Sequence, residues 1–280
     1  MTTSSSSPAS QTTNNTSWSS GRAAATTLQV GETALHLLKG GSGRPALVLH
    51  GIEGPEGWLA FHEALSANAT VYAPAHPGYG ETRRPEWLES ISHQALFYNW
   101  FLQEAGLDEV DLVGFGIGGW IAAEMATMAP RGLRHLVLAG PAGIRPRESQ
   151  LLDVFVIPWQ DVVRRCFYDA DDCEEYLRIY SASPVVNFGG EREAGRSMTM
   201  RMCYRPYMYS SSLQPMLARL RVPTLIVWGE EDQVIPVECG ELWRSSIRGA
   251  ELQVIPDCGH WPHYEKPQEL AQIVSRFLSK

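Results

Sequence analysis

The 280-residue sequence predicts an α/β fold in which helices cover both faces of a mostly parallel β-sheet. Two observations support this prediction. Short apolar runs typical of strands alternate with helical segments along most of the chain, which is the pattern of parallel sheets. Some of these runs, such as residues 46–50 and 135–139, are almost wholly apolar and therefore suit strands that are buried on both faces.

The individual elements begin at about residue 27. Two short strands are joined at Gly31 and Glu32, a later strand ends at Pro74, and a helix stops at Gly106, because glycine favours helix ends. The predicted strands are residues 28–30, 34–38, 46–50, 70–73, 110–113, 135–139, 224–228 and 251–255. The predicted helices are residues 58–67, 91–105, 121–126, 150–168, 172–182, 238–248 and 267–279.

The alternation breaks after Gly140 and Pro141. Residues 145–215 are rich in Arg, Asp, Tyr and Met, and we interpret them as a helical lid inserted into a domain of residues 25–280. Residues 1–24 are rich in Ser, Thr and Asn and poor in charged and large apolar side chains. This composition is typical of a disordered tail.

Composition narrows the class of function. The net charge of −8 argues against nucleic-acid binding, and no apolar run approaches the ~20 residues that span a bilayer. Five scattered cysteines without a CxxC pair indicate free thiols in a reducing compartment, so we expect a cytoplasmic protein. The sequence has no metal-ligand cluster, phosphate loop or dinucleotide fingerprint, so neither a metal nor another cofactor is expected.

Residues 114–118, Gly-Phe-Gly-Ile-Gly, lie between the apolar strand 110–113 and the helix 121–126. Small residues around a central position in this context form a nucleophile elbow, a strained turn that presents a nucleophilic side chain. The central residue here is Gly116, which has no side chain to present. The sequence therefore predicts the turn without its nucleophile.

Three other motifs accompany the elbow. His50-Gly51-Ile52 follows the third predicted strand, and Asp232 and His260 follow the last two. Together with Ala-His-Pro-Gly-Tyr-Gly at 75–80, these motifs make the chain resemble the capped α/β-hydrolase family over about residues 27–280. The resemblance implies an eight-stranded, mostly parallel sheet whose second strand is antiparallel, with a helical lid between strands six and seven.

The resemblance also implies roles for individual residues. His260 would be the general base and Asp232 the carboxylate that orients it. The oxyanion hole would use the backbone N–H of Ile117 and one from the loop near Ile52, and neither donor needs a side chain at position 116. Three other acids compete with Asp232 for the orienting role, and Glu231 ranks above the other two. These acids are Glu230, Glu231 and Asp257.

Several residues are candidates for contact with a substrate. His50 is expected to order its loop by hydrogen bonding, and Glu53 in the same loop could face the pocket and orient a water. Apolar pockets are commonly lined by aromatic side chains, which makes Phe115, Trp159 and Trp261 candidates. His76 and His263 are interpreted as structural or rim residues.

The expected function is hydrolysis of a small, largely apolar ester, lactone or carbon–carbon bond beside a carbonyl. Because Gly116 offers no nucleophile, the His–Asp dyad would activate a water directly. The alternatives are a non-hydrolytic histidine-base enzyme (lyase, isomerase or cofactor-free oxygenase), a ligand-binding protein on the hydrolase scaffold, and an engineered serine-to-glycine variant. The expected partner is a small-molecule substrate under the lid, and oligomeric state leaves no signal in the sequence.

Overall fold

The computed structural model describes residues 23–129, 131–181 and 191–280. Within these residues eight strands form one sheet in the order β1-β2-β4-β3-β5-β6-β7-β8. The strands are β1 (Ala23–Val30), β2 (Thr33–Gly41), β3 (Arg44–Leu49), β4 (Ala69–Pro74), β5 (Val110–Phe115), β6 (Leu133–Ala139), β7 (Thr224–Gly229) and β8 (Glu251–Ile255). β2 pairs antiparallel with both β1 and β4, and the strands from β4 through β3 to β8 pair in parallel. The predicted eight-stranded, mostly parallel sheet is confirmed.

Helices cover both faces of this sheet, as predicted. They are α1 (Ala60–Leu65), α2 (Ile91–Glu104), α3 (Ile117–Met128), α4 (Trp159–Arg165), α5 (Glu174–Tyr176), α6 (Glu191–Cys203), α7 (Leu213–Leu217), α8 (Glu238–Ser246), α9 (Pro262–Glu265) and α10 (Pro267–Leu278). α10 shows why a helix packs here, since Leu270, Val274 and Phe277 recur at helical spacing and are buried. They form one core with α1, while α2 and α3 pack into the core on the opposite face.

The segment between β6 and β7 contains the helices α4 to α7 where it is described, but these helices differ from the prediction. The predicted helix 150–168 is wrong over its first part, because α4 begins only at Trp159. Pro158 precedes α4 with an extended backbone, and a proline also disfavours helical geometry in the residue before it. The predicted helix 172–182 is realised as α5 followed by a π-helix, Leu177–Ser181. The role of this segment as a lid stays a prediction.

The predicted tail of residues 1–24 extends two residues too far. β1 begins at Ala23, which pairs with Gly40, and Ala24 pairs with Lys39, so the two residues complete the edge of the sheet. Residues 1–22 lie outside the part of the chain that the structure describes, and so does part of the predicted lid. Within the described ranges, no helix is long and apolar enough to cross a membrane.

Candidate active site

The turn between β5 and α3 has the geometry of a nucleophile elbow. Gly116 has φ +51° and ψ −117°, a backbone conformation with positive φ that residues other than glycine rarely adopt. Its N–H donates to the carbonyl of Ala139 at 3.1 Å, and its own carbonyl accepts the N–H of Ala142 at 3.0 Å. The neighbouring strand therefore holds the turn in place.

Two glycines of this turn differ in the space around them. A Cβ on Gly118 would lie 2.3 Å from the carbonyl oxygen of Leu49, so α3 approaches β3 too closely for any side chain. A Cβ on Gly116 would lie 3.5 Å from Nε2 of His260 and 3.7 Å from Cα of Gly51, which is ordinary contact. Packing therefore leaves room for a side chain at position 116, directly in front of the His260 imidazole.

His260 and Asp232 form a fixed pair behind this turn. His260 Nδ1 lies 2.7 Å from Asp232 Oδ2, and the other carboxylate oxygen accepts the N–H groups of Val234 and Ile235 at 2.8 Å each. The carboxylate therefore places the imidazole proton on Nδ1 and directs Nε2 towards Gly116. Burial lowers the pKa of His260, but the charge and hydrogen bond of Asp232 outweigh burial, and the pKa lies above its usual value.

The three competing acids do not pair with His260. Glu231 uses its Oε2 to accept the N–H of Cys258 at 3.0 Å, which braces the loop that carries the histidine. Asp257 occupies a turn with φ +50°, and Glu230 is exposed. Among the acids considered from sequence, Asp232 is the one that the structure brings to His260.

Glu265, which the sequence analysis did not single out, anchors the same loop. One oxygen accepts the N–H of Gly259 at 2.6 Å, and the other accepts those of Tyr168 and Asp169 at 2.7 and 3.1 Å. The loop of His260 is thus tied to the segment that follows α4. An acid five residues after the candidate base was the signal available in the sequence.

The two predicted oxyanion donors lie on either side of the turn. Ile117 is the first residue of α3, so its N–H has no acceptor within the helix. Ile52 lies in the loop that follows β3, and Gly51 of that loop contacts the space above Gly116. The roles of Ile117 and Ile52 as donors stay predictions.

His50 and Glu53 shape this loop from within. His50 donates from Nδ1 to the carbonyl of Gly51 at 2.8 Å and accepts the N–H of His76 on Nε2 at 3.0 Å. Glu53 accepts the N–H of Gly51 on Oε1 at 2.7 Å. Both side chains thus hold the conformation that presents Ile52.

Glu53 and Phe115 belong to a second group of side chains behind the loop. Phe115 stacks on His263 with ring centroids 3.9 Å apart and packs against Phe61 of α1. His263 Nε2 lies 3.5 Å from Glu53 Oε1, an electrostatic contact rather than a well-formed hydrogen bond. His50, Glu53, Phe115 and His263 line a cavity of about 230 Å³ that Gly116 and His260 do not line. Of the two interpretations of His263, structural or rim, its 2% exposure agrees with the structural one.

Trp159 and Trp261 meet on the other side, with ring centroids 6.5 Å apart. Trp261 follows His260 directly, is buried, and packs edge-on against Phe167 and face-on against Tyr180. The helical segment between β6 and β7 therefore supplies an aromatic wall next to the dyad.

In the described ranges, no group of three or more His, Cys, Asp or Glu side chains could hold a metal ion.

Comparison with known proteins agrees with the fold. Residues 46–273 match the family model described as the alpha/beta hydrolase family. The chain is similar to a 2-hydroxy-6-oxo-2,4-heptadienoate hydrolase of Pseudomonas putida, with 31% identity over 264 residues that cover 89% of this chain and 93% of the relative. It is also similar to a monoacylglycerol lipase of Xenopus laevis, with 27% identity over 267 residues, 86% of this chain and 77% of the relative.

Among solved structures, the fold is similar to that of a 2-hydroxy-6-oxo-6-phenylhexa-2,4-dienoate hydrolase from a Rhodococcus strain. The TM-score is 0.79 at 20% identity, and the match covers 92% of this chain and 99% of the other. This likeness concerns the fold.

Proposed function

The chain belongs to the alpha/beta hydrolase family, and from that premise we propose that it is a hydrolase whose His260–Asp232 dyad activates water instead of a serine. One observation carries the proposal. A Cβ at Gly116 would lie 3.5 Å from His260 Nε2, so the place of a nucleophilic side chain faces the base and is free for a water molecule. A glycine at this position excludes covalent capture of the substrate by residue 116.

The proposed reaction uses one base and two backbone donors. His260 Nε2 accepts a proton from water as the water oxygen attacks the substrate carbonyl, and Asp232 stabilises the imidazolium that forms. The N–H groups of Ile117 and Ile52 would stabilise the negative charge on the carbonyl oxygen. His260 then returns the proton to the departing oxygen or carbon.

The substrate is proposed to be a small, largely apolar ester, lactone or carbon–carbon bond beside a carbonyl. The names of the relatives support this range, since one is a hydrolase of 2-hydroxy-6-oxo-2,4-heptadienoate and another a monoacylglycerol lipase. The aromatic side chains of Trp159, Phe167 and Tyr180, which pack against Trp261 beside His260, support an apolar substrate.

Three probes test the proposal on the purified chain: p-nitrophenyl butyrate, a medium-chain lactone and 2-hydroxy-6-oxo-2,4-heptadienoate. We expect turnover of at least one, and a decrease in kcat/KM of roughly 10²–10⁴-fold in His260→Ala, the usual contribution of a general base.

His135→Ala is the matched control. Its imidazole is also buried and pairs with Asp111 at 2.8 Å, but both residues lie near the amino ends of β6 and β5, away from the elbow. The proposal is wrong if none of the three probes is turned over. It is equally wrong if His260→Ala loses no more activity per folded molecule than His135→Ala.

A further inference from the structure

Side chains hold three of the four polar groups in the two peptide units next to Gly51. In the first unit, the carbonyl of His50 accepts a hydrogen bond from Nε2 of His76 at 2.9 Å. The N–H of Gly51 in the same unit donates to Glu53 Oε1 at 2.7 Å. In the second unit, the carbonyl of Gly51 accepts a hydrogen bond from Nδ1 of His50 at 2.8 Å. The fourth group, the N–H of Ile52, donates to no acceptor in the part of the chain that the structure describes.

The partners of the two histidines fix which ring nitrogen carries the proton. The backbone N–H of His76 can only donate, and it lies 3.0 Å from Nε2 of His50, so the proton of His50 is on Nδ1. The carbonyl of His50 can only accept, so His76 carries its proton on Nε2, and its Nδ1 accepts the hydroxyl of Tyr98 at 2.6 Å. Burial lowers the pKa of His50 to about 4 and that of His76 well below its usual value, so both rings are neutral at pH 7.

The geometry of the peptide bond turns these contacts into a direction for the fourth group. The carbonyl of Gly51 and the N–H of Ile52 belong to one planar trans peptide, in which the two groups point in opposite directions. Because His50 holds the carbonyl on its own side, the N–H of Ile52 points to the other side. The loop borders the space in front of His260, since Cα of Gly51 would lie 3.7 Å from a Cβ on Gly116.

The side chains that hold the loop are themselves held in place. His76 is fully buried, and its ring centroid lies 3.7 Å from that of His50. Tyr79 packs edge-on against both rings, with centroids 5.1 and 5.6 Å away. The pKa of Glu53 lies below its usual value, so the group that accepts the N–H of Gly51 is a charged carboxylate, which is a strong acceptor. His76 belongs to the segment after β4, so the hold on the loop comes from a distant part of the chain.

We propose that His76 is a positioning residue of the oxyanion hole. Its Nε2–H fixes the peptide unit between His50 and Gly51, and this unit together with His50 sets the direction of the N–H of Ile52. The donor role of Ile52 rests on the proposed function, whereas the link from His76 to the loop is a property of the fold.

Amide hydrogen exchange of the full chain, followed by nuclear magnetic resonance, tests this link without a substrate. His76→Met removes the ring donor, and His76→Gln restores an N–H at the same number of bonds from Cβ. The readout is the exchange rate of the Gly51 amide relative to that of Val113 in the buried strand β5, which corrects for a change in global stability. We expect this ratio to rise at least about tenfold in His76→Met, as the loss of one buried hydrogen bond allows, and less than about threefold in His76→Gln.

Steady-state kinetics tests the consequence for the site, with whichever of the three probes is turned over. The N–H of Ile52 would act on charge that forms only in the transition state, so a misdirected donor lowers kcat and leaves KM nearly unchanged. We expect kcat to fall by roughly 10–10²-fold in His76→Met, less than the loss of a whole donor, with KM within about threefold. His76→Gln should regain most of the lost kcat.

Two further variants keep the test decisive. His135→Met removes another buried imidazole, away from the loop, and should change neither the exchange ratio nor kcat by more than about threefold. Tyr98→Phe removes only the hydroxyl that donates to His76, and it should shift both readouts in the same direction as His76→Met by a smaller factor. It replaces His76→Met if that variant does not fold.

The two levels of the inference fail separately. If no probe is turned over, the proposed function is wrong, and the exchange ratio still decides whether His76 holds the loop. The positioning role is overturned by an unchanged exchange ratio in both His76→Met and Tyr98→Phe. It is also overturned by a rise in KM at constant kcat, or by a His76→Gln variant as impaired as His76→Met.

Discussion

Two carboxylate–imidazole pairs lie on opposite sides of the loop after β3, and they differ in how their carboxylates are held. In front, Asp232 contacts His260 at 2.7 Å and receives two backbone N–H groups on its second oxygen. Behind, Glu53 lies 3.5 Å from His263, and its Oε2 has no partner among the described residues. The two histidines are three residues apart in sequence, yet the pKa of His260 is raised and that of His263 is lowered.

The difference shows how the setting of a buried carboxylate shifts the pKa of a neighbouring imidazole. Asp232 is fixed by the amides of Val234 and Ile235, so its charge acts on one partner and favours the protonated imidazole. The Glu53 carboxylate accepts only the N–H of Gly51 among the described backbone amides, and burial lowers the pKa of His263 more than Glu53 raises it. Two pairs of the same chemical groups thus have opposite shifts in the pKa of the imidazole, upward in front and downward behind.

The largest expected effect comes from removing the charge of the front pair. Asp232→Asn should lower kcat/KM for whichever probe is turned over by roughly 10²–10⁴-fold, because an amide no longer fixes the tautomer or stabilises the imidazolium. Steady-state kinetics measures this, with Asp111→Asn as the control for a buried pair outside the site. A similar loss in both variants would contradict the difference between the pairs.

The pH profile of the same variants sharpens that test. His260 must be neutral to accept a proton, and its pKa lies above the usual 6.5. We expect kcat/KM of the unsubstituted chain to fall as the pH drops through a value above 6.5, and we expect this fall to occur at lower pH in Asp232→Asn.

The next effect concerns His62, a buried histidine of α1. His62 has its pKa lowered by burial to about 3, so the unfolded chain binds a proton below about pH 6.5 that the folded chain does not. The stability that the neutral His62 imidazole contributes is therefore complete above pH 6.5 and is lost as the pH falls towards 3. Between pH 7 and 5 the loss is about 2 kcal/mol for such a histidine.

Urea unfolding at pH 7 and pH 5 measures this loss. In His62→Asn, which can still accept the N–H of Leu59, we expect the decrease in unfolding free energy to be about 2 kcal/mol smaller than in the unsubstituted chain. His93→Asn, outside this cluster, is the control. The same pH dependence in all three proteins would contradict a neutral, buried His62.

A smaller effect is expected when the front pair receives a nucleophile. A serine at position 116 fits beside His260 Nε2, but its backbone must hold φ +51°, which costs about 1–2 kcal/mol. We expect Gly116→Ser to lose that much stability and to be labelled by a fluorophosphonate probe. Gly116→Ala should lose the same stability without labelling, and labelling of neither variant would show that the pair does not activate a hydroxyl.

The smallest expected effect is a modest loss of stability in Glu53→Gln. The pKa of Glu53 lies below its usual value because its contacts with His263 and His50 outweigh burial, so the fold stabilises the charged carboxylate. The amide oxygen of Gln can still accept the N–H of Gly51, and the unfolding free energy should fall by about 1 kcal/mol, while Glu81→Gln, at a more exposed carboxylate, should stay within about 0.5 kcal/mol. Thermal unfolding measures both changes, and a higher Tm for Glu53→Gln than for Glu81→Gln would contradict a stabilised carboxylate.

The front pair was more accessible to sequence reasoning than the rear pair. Asp232 and His260 follow neighbouring parallel strands, and the carboxyl ends of such strands meet at one edge, so their proximity could be predicted. The choice of Asp232 over Glu231 rested on the family pattern, and the structure agrees with it.

The rear pair depends on details that a sequence pattern does not contain. Phe115 precedes Gly116 in the chain but lies on the α1 face of the sheet, where it stacks on His263. The short helix α9 places His263 under the sheet for that contact. A helix of four residues is too short to show a hydrophobic periodicity in the sequence. For the fold, apolar runs predicted the strands well, whereas the helix boundary at Trp159 depended on one proline.

The carboxylate of Glu265 joins three backbone amides from two distant segments, Gly259 on one side and Tyr168 and Asp169 on the other. None of the three N–H groups can exchange its hydrogen for deuterium unless this junction opens. The three amides should therefore exchange together and at one rate, although Tyr168 and Asp169 lie on an exposed surface. That common rate would report how often the loop of His260 separates from the segment that follows α4.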